Sequence, residues 1–184
     1  MVGTTLMRET NSQPSRSSPL TCASRSSSKA PARGDRRSAY LLPGQLHVSE
    51  EPCQIRTILG SCVAICLWDS CRRVGGMNHF LLPASREGQS ASHRYADVAT
   101  RTLLEKLKSL GCRQVNLRAK IFGGSTMFQN RNGHALSLGT QNAIAALELM
   151  TNAGISVAIQ ETGGTRGRKI IFNTDDGIVW CQPI

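Results

Sequence analysis

The sequence has no run of about eighteen apolar residues, the length that a helix needs to cross a bilayer. Its first residues also lack the apolar centre of a secretory signal peptide. Aromatic residues make up only 4% of the 184 residues, so the core is expected to consist mainly of aliphatic and small side chains. These absences argue against membrane insertion and secretion. The length suits one domain, which we expect to be cytoplasmic.

Acidic residues are scarce, and the imbalance is concentrated at the start of the chain. The sequence carries 22 Lys and Arg against 12 Asp and Glu, a formal net charge of +10. Residues 1–38 hold seven basic and two acidic residues in a Ser- and Pro-rich stretch without aliphatic pattern, which predicts a disordered extension. Such a stretch suits a phosphate or membrane-surface tether, an organelle transit peptide or, most simply, a solvated extension. Residues 39–184 form the predicted globular domain.

Paired cysteine motifs are missing as well. The seven cysteines are an odd number and form no CxxC pair. In a chain without a secretion signal, this argues against a disulfide framework and against a zinc site. Most of the thiols are therefore expected to be reduced and buried in the core as small apolar side chains.

Regular hydrophobic patterning begins at Tyr40. Apolar or alternating stretches predict strands within residues 55–69 (broken at Gly60 and Ser61), 74–83, 115–122, 155–160, 168–173 and 178–181. In the third of these stretches, Val115 is expected on the buried face together with Leu117. Helical spacing of apolar residues predicts helices over 94–110 and 140–153, each followed by a glycine. The order of elements predicts helices packed against a sheet, in the α+β or α/β class.

The bend at Gly60 and Ser61 places Cys62 between two apolar segments. A tight bend there lifts one side chain out of the sheet and turns adjacent backbone N–H groups toward the same point. A thiol in that position can act as a nucleophile beside an oxyanion hole formed around Gly60 and Ser61. The alternative is a buried structural cysteine that follows a glycine bulge.

A thiol nucleophile needs a base, because a thiol with a pKa near ~8.5 is mostly protonated at neutral pH. Among the four histidines, His79 lies within an apolar strand, where an imidazole is costly unless it is hydrogen-bonded. The other histidines, His47, His93 and His134, lie in polar surroundings. His79 is therefore the preferred base for Cys62, and a hydrogen-bonded core histidine is the alternative.

Several short motifs follow one another along the globular part. They are TILGSCVA at 57–64, GMNHFLLP at 76–83, RYAD at 94–97, KIFGG at 120–124, Gly139 with Asn142, ETGG at 161–164 and GRK at 167–169. Together they resemble the CheD family of chemoreceptor glutamine deamidases. The resemblance covers the chain from about Tyr40 to Ile184 and excludes the extension. Ordered motifs over one complete domain make it far more specific than a single short motif.

The resemblance implies a cysteine hydrolase that converts glutamines of methyl-accepting chemotaxis receptors to glutamate through a thioester, tuning signalling and adaptation without metal or organic cofactor. Cys62 corresponds to the family's nucleophile and His79 to its general base. The family's third residue is a threonine, which corresponds to Thr57, or to the position of Arg56 if the register shifts by one. The implied fold is a layered α/β sandwich with mixed or antiparallel sheets and helices on one side, resembling the deamidase domain of cytotoxic necrotising factors.

Further residues are expected at the substrate surface. These are the glycine pairs Gly123 with Gly124 and Gly163 with Gly164, and the basic residue Arg168. The glycines either let receptor backbone approach closely or form tight turns. Arg168, with its neighbours Arg166 and Lys169, either contacts acidic receptor helices or is solvated at a hairpin tip.

Three functions stay open at this point. The first is deamidation, with methylester hydrolysis at the same receptor sites as a companion activity. The second is a non-catalytic chemotaxis module that regulates a receptor or a CheC-type phosphatase. The third is nucleic-acid binding through the extension, which no aromatic interleaving or recognised module supports. We therefore expect receptor cytoplasmic domains as partners, neither nucleic acid nor direct membrane insertion, and a phosphatase partner in the second case.

Overall fold

The computed structural model describes residues 37–85, 91–126 and 136–184, and these contain nine strands and two α-helices. The strands are β1 Arg37–Tyr40, β2 Gln45–Ser49, β3 Cys53–Leu59, β4 Val63–Asp69, β5 Val74–His79, β6 Leu117–Gly123, β7 Ser156–Thr162, β8 Arg168–Asn173 and β9 Val179–Pro183. The helices are α1 Ala96–Ser109 and α2 Leu138–Asn152, and a 3-10 turn covers Gln114–Asn116. None of the helices in these ranges is long and apolar enough to span a membrane.

The strands form two mixed sheets. The four-stranded sheet has the order β1-β3-β8-β9, and the five-stranded sheet has the order β2-β5-β4-β6-β7. In the described ranges, β1 pairs parallel with β3 and β6 parallel with β7, and the other pairs are antiparallel. The expected α+β class with mixed sheets is therefore confirmed.

The molecule has three layers. Both helices pack on the five-stranded sheet, α1 against β2 and β5, and α2 against β4, β6 and β7. One apolar cluster, which includes Val63, Phe80 and Leu103, fills the space between helices and sheet. A second cluster, which includes Met77 and Phe172, lies between the two sheets. β4 is buried on both faces because alternate side chains along a strand point to opposite sides.

Most predicted elements are present. The stretch 55–69 forms β3 and β4 with the break at Gly60 and Ser61, as expected. Gly111 and Gly154 follow the two helices with φ of 78° and 62°, a conformation that glycine adopts without strain. The spacing of apolar residues therefore predicted where the helices end.

Two expectations on element boundaries differ from the structure. The sheet begins at Arg37, inside the predicted extension, because β1 pairs with β3 through main-chain hydrogen bonds that need no apolar pattern. Residues 1–36 of that extension lie outside the described residues. Val115 is 65% exposed, and the prediction that it is buried is wrong. It belongs to the 3-10 turn, so the alternation of buried side chains starts only at Leu117.

The connection from β7 to β8 is not a hairpin. β7 is an edge strand of the five-stranded sheet, whereas β8 pairs with β3 and β9 in the other sheet. Residues 163–167 therefore carry the chain from one sheet to the other, so the alternative in which Arg168 lies at a hairpin tip is wrong. The sequence pattern of two strands separated by glycines is the same in both cases, which is why it does not distinguish them.

Candidate active site

The Cys62 loop, residues 60–62, connects β3 in one sheet to β4 in the other. Each of its three carbonyl oxygens accepts a hydrogen bond, from Ser125 N at 2.9 Å, Asn142 Nδ2 at 3.0 Å and Gly124 N at 2.8 Å. These bonds fix the peptide planes of the loop. Among the described residues, the N–H groups of Ser61 and Cys62 have no acceptor other than the Cys62 thiol itself.

Glycines allow the loop to lie this close to its neighbours. Gly123 has a φ of 111°, and a Cβ there would lie 2.2 Å from the Cys62 carbonyl oxygen. A Cβ on Gly139 of α2 would lie 2.5 Å from the carbonyl oxygens of Gly124 and Ser125. The close backbone approach at Gly123 and Gly124 is therefore between segments of this chain. Contact of these glycines with a substrate stays a prediction.

His79 lies at the end of β5 and is 1% exposed. Its side chain faces the space between the sheets, like that of Met77 two residues earlier. Thr57 projects into the same space from β3 in the opposite sheet, and its Oγ1 lies 2.8 Å from His79 Nδ1. The neighbouring Arg56 is exposed on the outer face of β3. The structure thus places Thr57, and not Arg56, against the imidazole.

Cys62 lies on the same face as His79. Val63 and Phe80 are paired, with N–H···O distances of 3.1 and 3.0 Å, so the residues before them, Cys62 and His79, are diagonal neighbours. Diagonal neighbours in an antiparallel pair are about 7–8 Å apart between backbones, within reach of larger side chains. Cys62 is half-buried and packs against the cluster between the sheets. The bend and the strand end therefore bring the predicted nucleophile and base onto one face of the sheet as diagonal neighbours, with no hydrogen bond between them in the described residues.

The hydrogen bonds of Thr57 determine which nitrogen of His79 carries the proton. A hydroxyl has one hydrogen, and Thr57 Oγ1 donates it to the carbonyl oxygen of Leu41 at 2.8 Å. The second contact of Oγ1 is then satisfied only when His79 Nδ1–H donates to it. Nε2 is left with a lone pair, and this buried atom has no hydrogen-bond partner in the described ranges. The imidazole therefore has a free acceptor on the side away from Thr57.

Burial keeps both groups uncharged. It lowers the pKa of His79 to about 4, although the nearby Leu41 carbonyl, which favours the protonated ring, partly opposes this effect. It raises the pKa of the Cys62 thiol above its ordinary value, an effect that the backbone N–H of Cys62 partly offsets. At neutral pH burial therefore favours the neutral thiol and the neutral imidazole in the resting site.

The remaining predicted site residues lie at the edge of this arrangement. Gly163 N donates to Gly123 O at 3.0 Å, and Gly164 O accepts from Thr126 N at 2.8 Å. The Arg168 guanidinium donates to the carbonyl oxygens of Glu161 and Gly163. Arg168 is therefore engaged in holding the crossover between the sheets, next to the segment that supports the Cys62 loop. A role of these residues in substrate binding stays a prediction.

Two participants were not singled out from the sequence, and a third, Asn142, was singled out only as part of a motif and without a role. Leu41 contributes only its carbonyl group, which no side-chain pattern can reveal. Ser125 contributes a backbone N–H to the Cys62 loop. Asn142 has a detectable signal, because it is a polar residue on the otherwise apolar buried face of α2. Within the described ranges, no group of three or more His, Cys, Asp or Glu side chains is arranged to hold a metal ion.

Comparison with known proteins connects this geometry to one family. The family model described as CheD chemotactic sensory transduction matches residues 81–183. A probable chemoreceptor glutamine deamidase CheD 1 of Anaeromyxobacter dehalogenans is 41% identical over 97% of this chain and 100% of its own length. Probable chemoreceptor glutamine deamidases CheD of Trichlorobacter lovleyi and Methanococcus vannielii are 41% and 42% identical, over 78% and 74% of this chain and 88% of each relative. The family model begins after His79, but the Anaeromyxobacter match covers nearly the whole chain.

The lowered pKa of His79 predicts a pH-dependent stability. Between pH 6.5 and about 4 the unfolded chain binds a proton at this histidine and the folded protein does not, so the free energy of unfolding decreases as the pH falls through this window. The loss attributable to His79 between pH 7 and 4.5 is expected to be roughly 2 kcal/mol. Urea denaturation of the wild type and His79→Gln between pH 7 and 4.5 measures it.

The difference in pH dependence between the wild type and His79→Gln isolates the contribution of His79 to stability. His47, whose pKa is lowered by burial and by Lys106, contributes in the same direction and is present in both. We expect the unfolding free energy of His79→Gln to change less with pH than that of the wild type. Parallel pH dependences would contradict the account.

Proposed function

Because the chain belongs to the CheD family, we propose that it is a protein-glutamine deamidase that acts on the cytoplasmic part of chemoreceptors through a Cys62–His79 thioester mechanism. The observation that carries the proposal is the bond between Thr57 and His79 Nδ1. It directs the unprotonated Nε2 of a buried imidazole into the face on which Cys62 lies. This is the arrangement that nucleophilic catalysis by a thiol requires: a nucleophile, a base and a group that orients the base.

In the first half-reaction, His79 Nε2 accepts the Cys62 proton as the sulfur attacks the side-chain carbonyl carbon of a glutamine. The imidazolium is stabilised while Nδ1–H donates to Thr57 and Thr57 donates to the Leu41 carbonyl. The imidazolium then returns its proton to the amide nitrogen, the C–N bond breaks and ammonia leaves. The product is a thioester between Cys62 and the former glutamine.

The N–H groups of Ser61 and Cys62 suit the negative charge that develops on the carbonyl oxygen. Within the described residues they are not engaged with other acceptors, and the loop that carries them is held by the three carbonyl bonds. One such donor contributes about 3–4 kcal/mol of transition-state stabilisation in comparable sites. In the second half-reaction, His79 deprotonates water, which attacks the thioester and releases glutamate and the Cys62 thiol.

The surface beside the site favours an acidic partner. Arg166 is exposed on the crossover, two residues after Gly164, which bonds Thr126, and Lys169 is exposed on β8. Basic side chains at the rim of an interface increase the rate of association with acidic surfaces. Two further expectations form part of the proposal. The fold is expected to resemble necrotising-factor deamidase domains, and the same thioester route is expected to hydrolyse receptor methylesters.

The nucleophile is tested by ammonia release from a chemoreceptor cytoplasmic fragment that bears glutamines. Cys62→Ala is expected to abolish release and to retain binding of the fragment, because it removes only the attacking sulfur. The matched control is Cys71→Ala, which removes a half-buried thiol at the other end of β4 and is expected to keep the wild-type rate.

Mass spectrometry of the fragment locates the converted glutamines. Full activity of Cys62→Ala would contradict the thioester mechanism. Absence of turnover in the wild type, with the fragment still bound, would instead favour a non-catalytic module that regulates a receptor or phosphatase.

The pKa of His79 predicts the acid limb of the activity. Protonation of Nε2 removes the acceptor for the thiol proton, so kcat/KM is expected to fall only as the pH approaches about 4. At pH 5.5 it should stay within about two-fold of its value at pH 7.5. A histidine that titrates at its ordinary pKa would instead cause a drop of about ten-fold at pH 5.5, and that result would contradict the account.

A further inference from the structure

The amide of Asn142 joins the two segments that carry the proposed nucleophile and base. Its Nδ2 donates to the carbonyl oxygen of Ser61 in the Cys62 loop at 3.0 Å and to that of Leu81, two residues after His79, at 2.8 Å. The Val63–Phe80 pair ends the pairing of β4 with β5, which also includes the bond from Ile65 N–H to Asn78 Oδ1. Beyond that pair, Asn142 joins residues 60–62 to residue 81. One side chain of α2 therefore fixes the Cys62 loop relative to the end of β5.

The surroundings of Asn142 are unusual for an asparagine. The other buried residues of α2, a helix that is described throughout, are Gly139, Ala143, Ala146 and Met150. Asn142 is 0% exposed, and its Oδ1 has no hydrogen-bond partner in the described ranges. A buried amide oxygen without a donor reduces stability, so packing alone does not account for an asparagine here. Two other buried atoms without a hydrogen-bond partner in the described ranges, His79 Nε2 and Ser125 Oγ, belong to the candidate site and to the segment that supports the Cys62 loop.

The bond to Ser61 has a direct consequence for the Cys62 N–H. In a trans peptide the C=O of one residue and the N–H of the next lie in one plane and point in opposite directions. Asn142 holds the Ser61 C=O toward α2, so the Cys62 N–H points away from the helix. Because the next peptide is fixed by Gly124 and Phe80, the loop has no other freedom to reorient this donor.

We propose that Asn142 is a positioning residue, which aims the Cys62 N–H at the developing oxyanion, while the Val63–Phe80 pair keeps the thiol in register with His79. The inference rests on the proposed deamidase function. It predicts that the loss of Asn142 impairs acyl transfer, in which a carbonyl oxygen becomes negatively charged. The same loss should spare a reaction of the thiol that develops no oxyanion.

Asn142→Leu tests this, because leucine has a similar volume and lacks both donors. We expect kcat for ammonia release from the receptor fragment to fall about 100-fold or more, the effect of losing one oxyanion donor, with KM within a few-fold of the wild type. The rate of Cys62 alkylation by iodoacetamide, followed by peptide mass spectrometry, should stay within about three-fold. Alkylation displaces iodide at a saturated carbon and therefore needs no oxyanion donor.

Two further variants control for folding. Asn173→Leu removes another buried asparagine, at the end of β8 where it bonds Gln54, and should lower stability but retain kcat. Asn142→Asp keeps the shape of the side chain and loses the Nδ2 donors. If the leucine variant fails to fold, the aspartate variant should show the same fall in kcat at neutral pH. Circular dichroism melting establishes that each protein is folded.

The outcomes separate the inference from the proposed function. A wild type without turnover overturns both. If the wild type is active and Asn142→Leu or Asn142→Asp is equally active, only the role of Asn142 is overturned. A parallel loss of turnover and alkylation in folded variants also overturns it, because the thiol itself would then be displaced.

Discussion

The hydrogen bond between Thr57 and His79 connects the two sheets at the point where the proposed chemistry occurs. It is possible only because β3 and β5 face each other across the inter-sheet cluster with Thr57 and His79 both directed inward. The bond also ties the imidazole to the Leu41 carbonyl through the single hydroxyl hydrogen. The separation of the sheets therefore determines both the orientation of the ring and the position of its proton.

Burial then sets the electrostatics. The pKa of the imidazole is lowered and that of the Cys62 thiol is raised, so burial favours the neutral form of both groups. Such a thiol is a poor nucleophile in isolation, because only the thiolate attacks efficiently. In the proposed mechanism, reactivity depends on proton transfer to Nε2 during the attack, and hence on a substrate carbonyl held near the backbone N–H groups of the loop. In that mechanism the coupling restricts the chemistry to correctly placed amides.

The sequence predicted those features that depend on neighbouring residues. Helix ends at Gly111 and Gly154, the break before Cys62 and the unusual position of His79 in an apolar strand all follow from local pattern. What it did not reveal depends on contacts distant in the chain. The bend at residues 60–61 resembles a hairpin turn, yet it joins strands of different sheets. Thr57 meets His79 across that division, and nothing in the spacing of the two residues indicates it.

The role of Asn142 also depends on contacts that are distant in the chain. Its polar side chain on an apolar helix face is the same kind of signal that identified His79, since both are costly to bury without a partner. The sequence cannot show that its partners are the carbonyl groups of Ser61 and Leu81, because backbone acceptors carry no residue-specific mark. Buried polar residues at apolar positions are thus informative about a site before its geometry is known.

His79 is expected to be neutral and to carry its proton on Nδ1, where Thr57 accepts it. The ¹⁵N chemical shifts of the His79 ring in labelled protein measure its protonation directly between pH 5 and 8, and the same measurement on Thr57→Val shows the effect of removing the hydrogen bond. We expect a protonated Nδ1 and an unprotonated Nε2 throughout the range in the wild type. A ring protonated on Nε2, or an imidazolium at pH 7, would contradict this expectation.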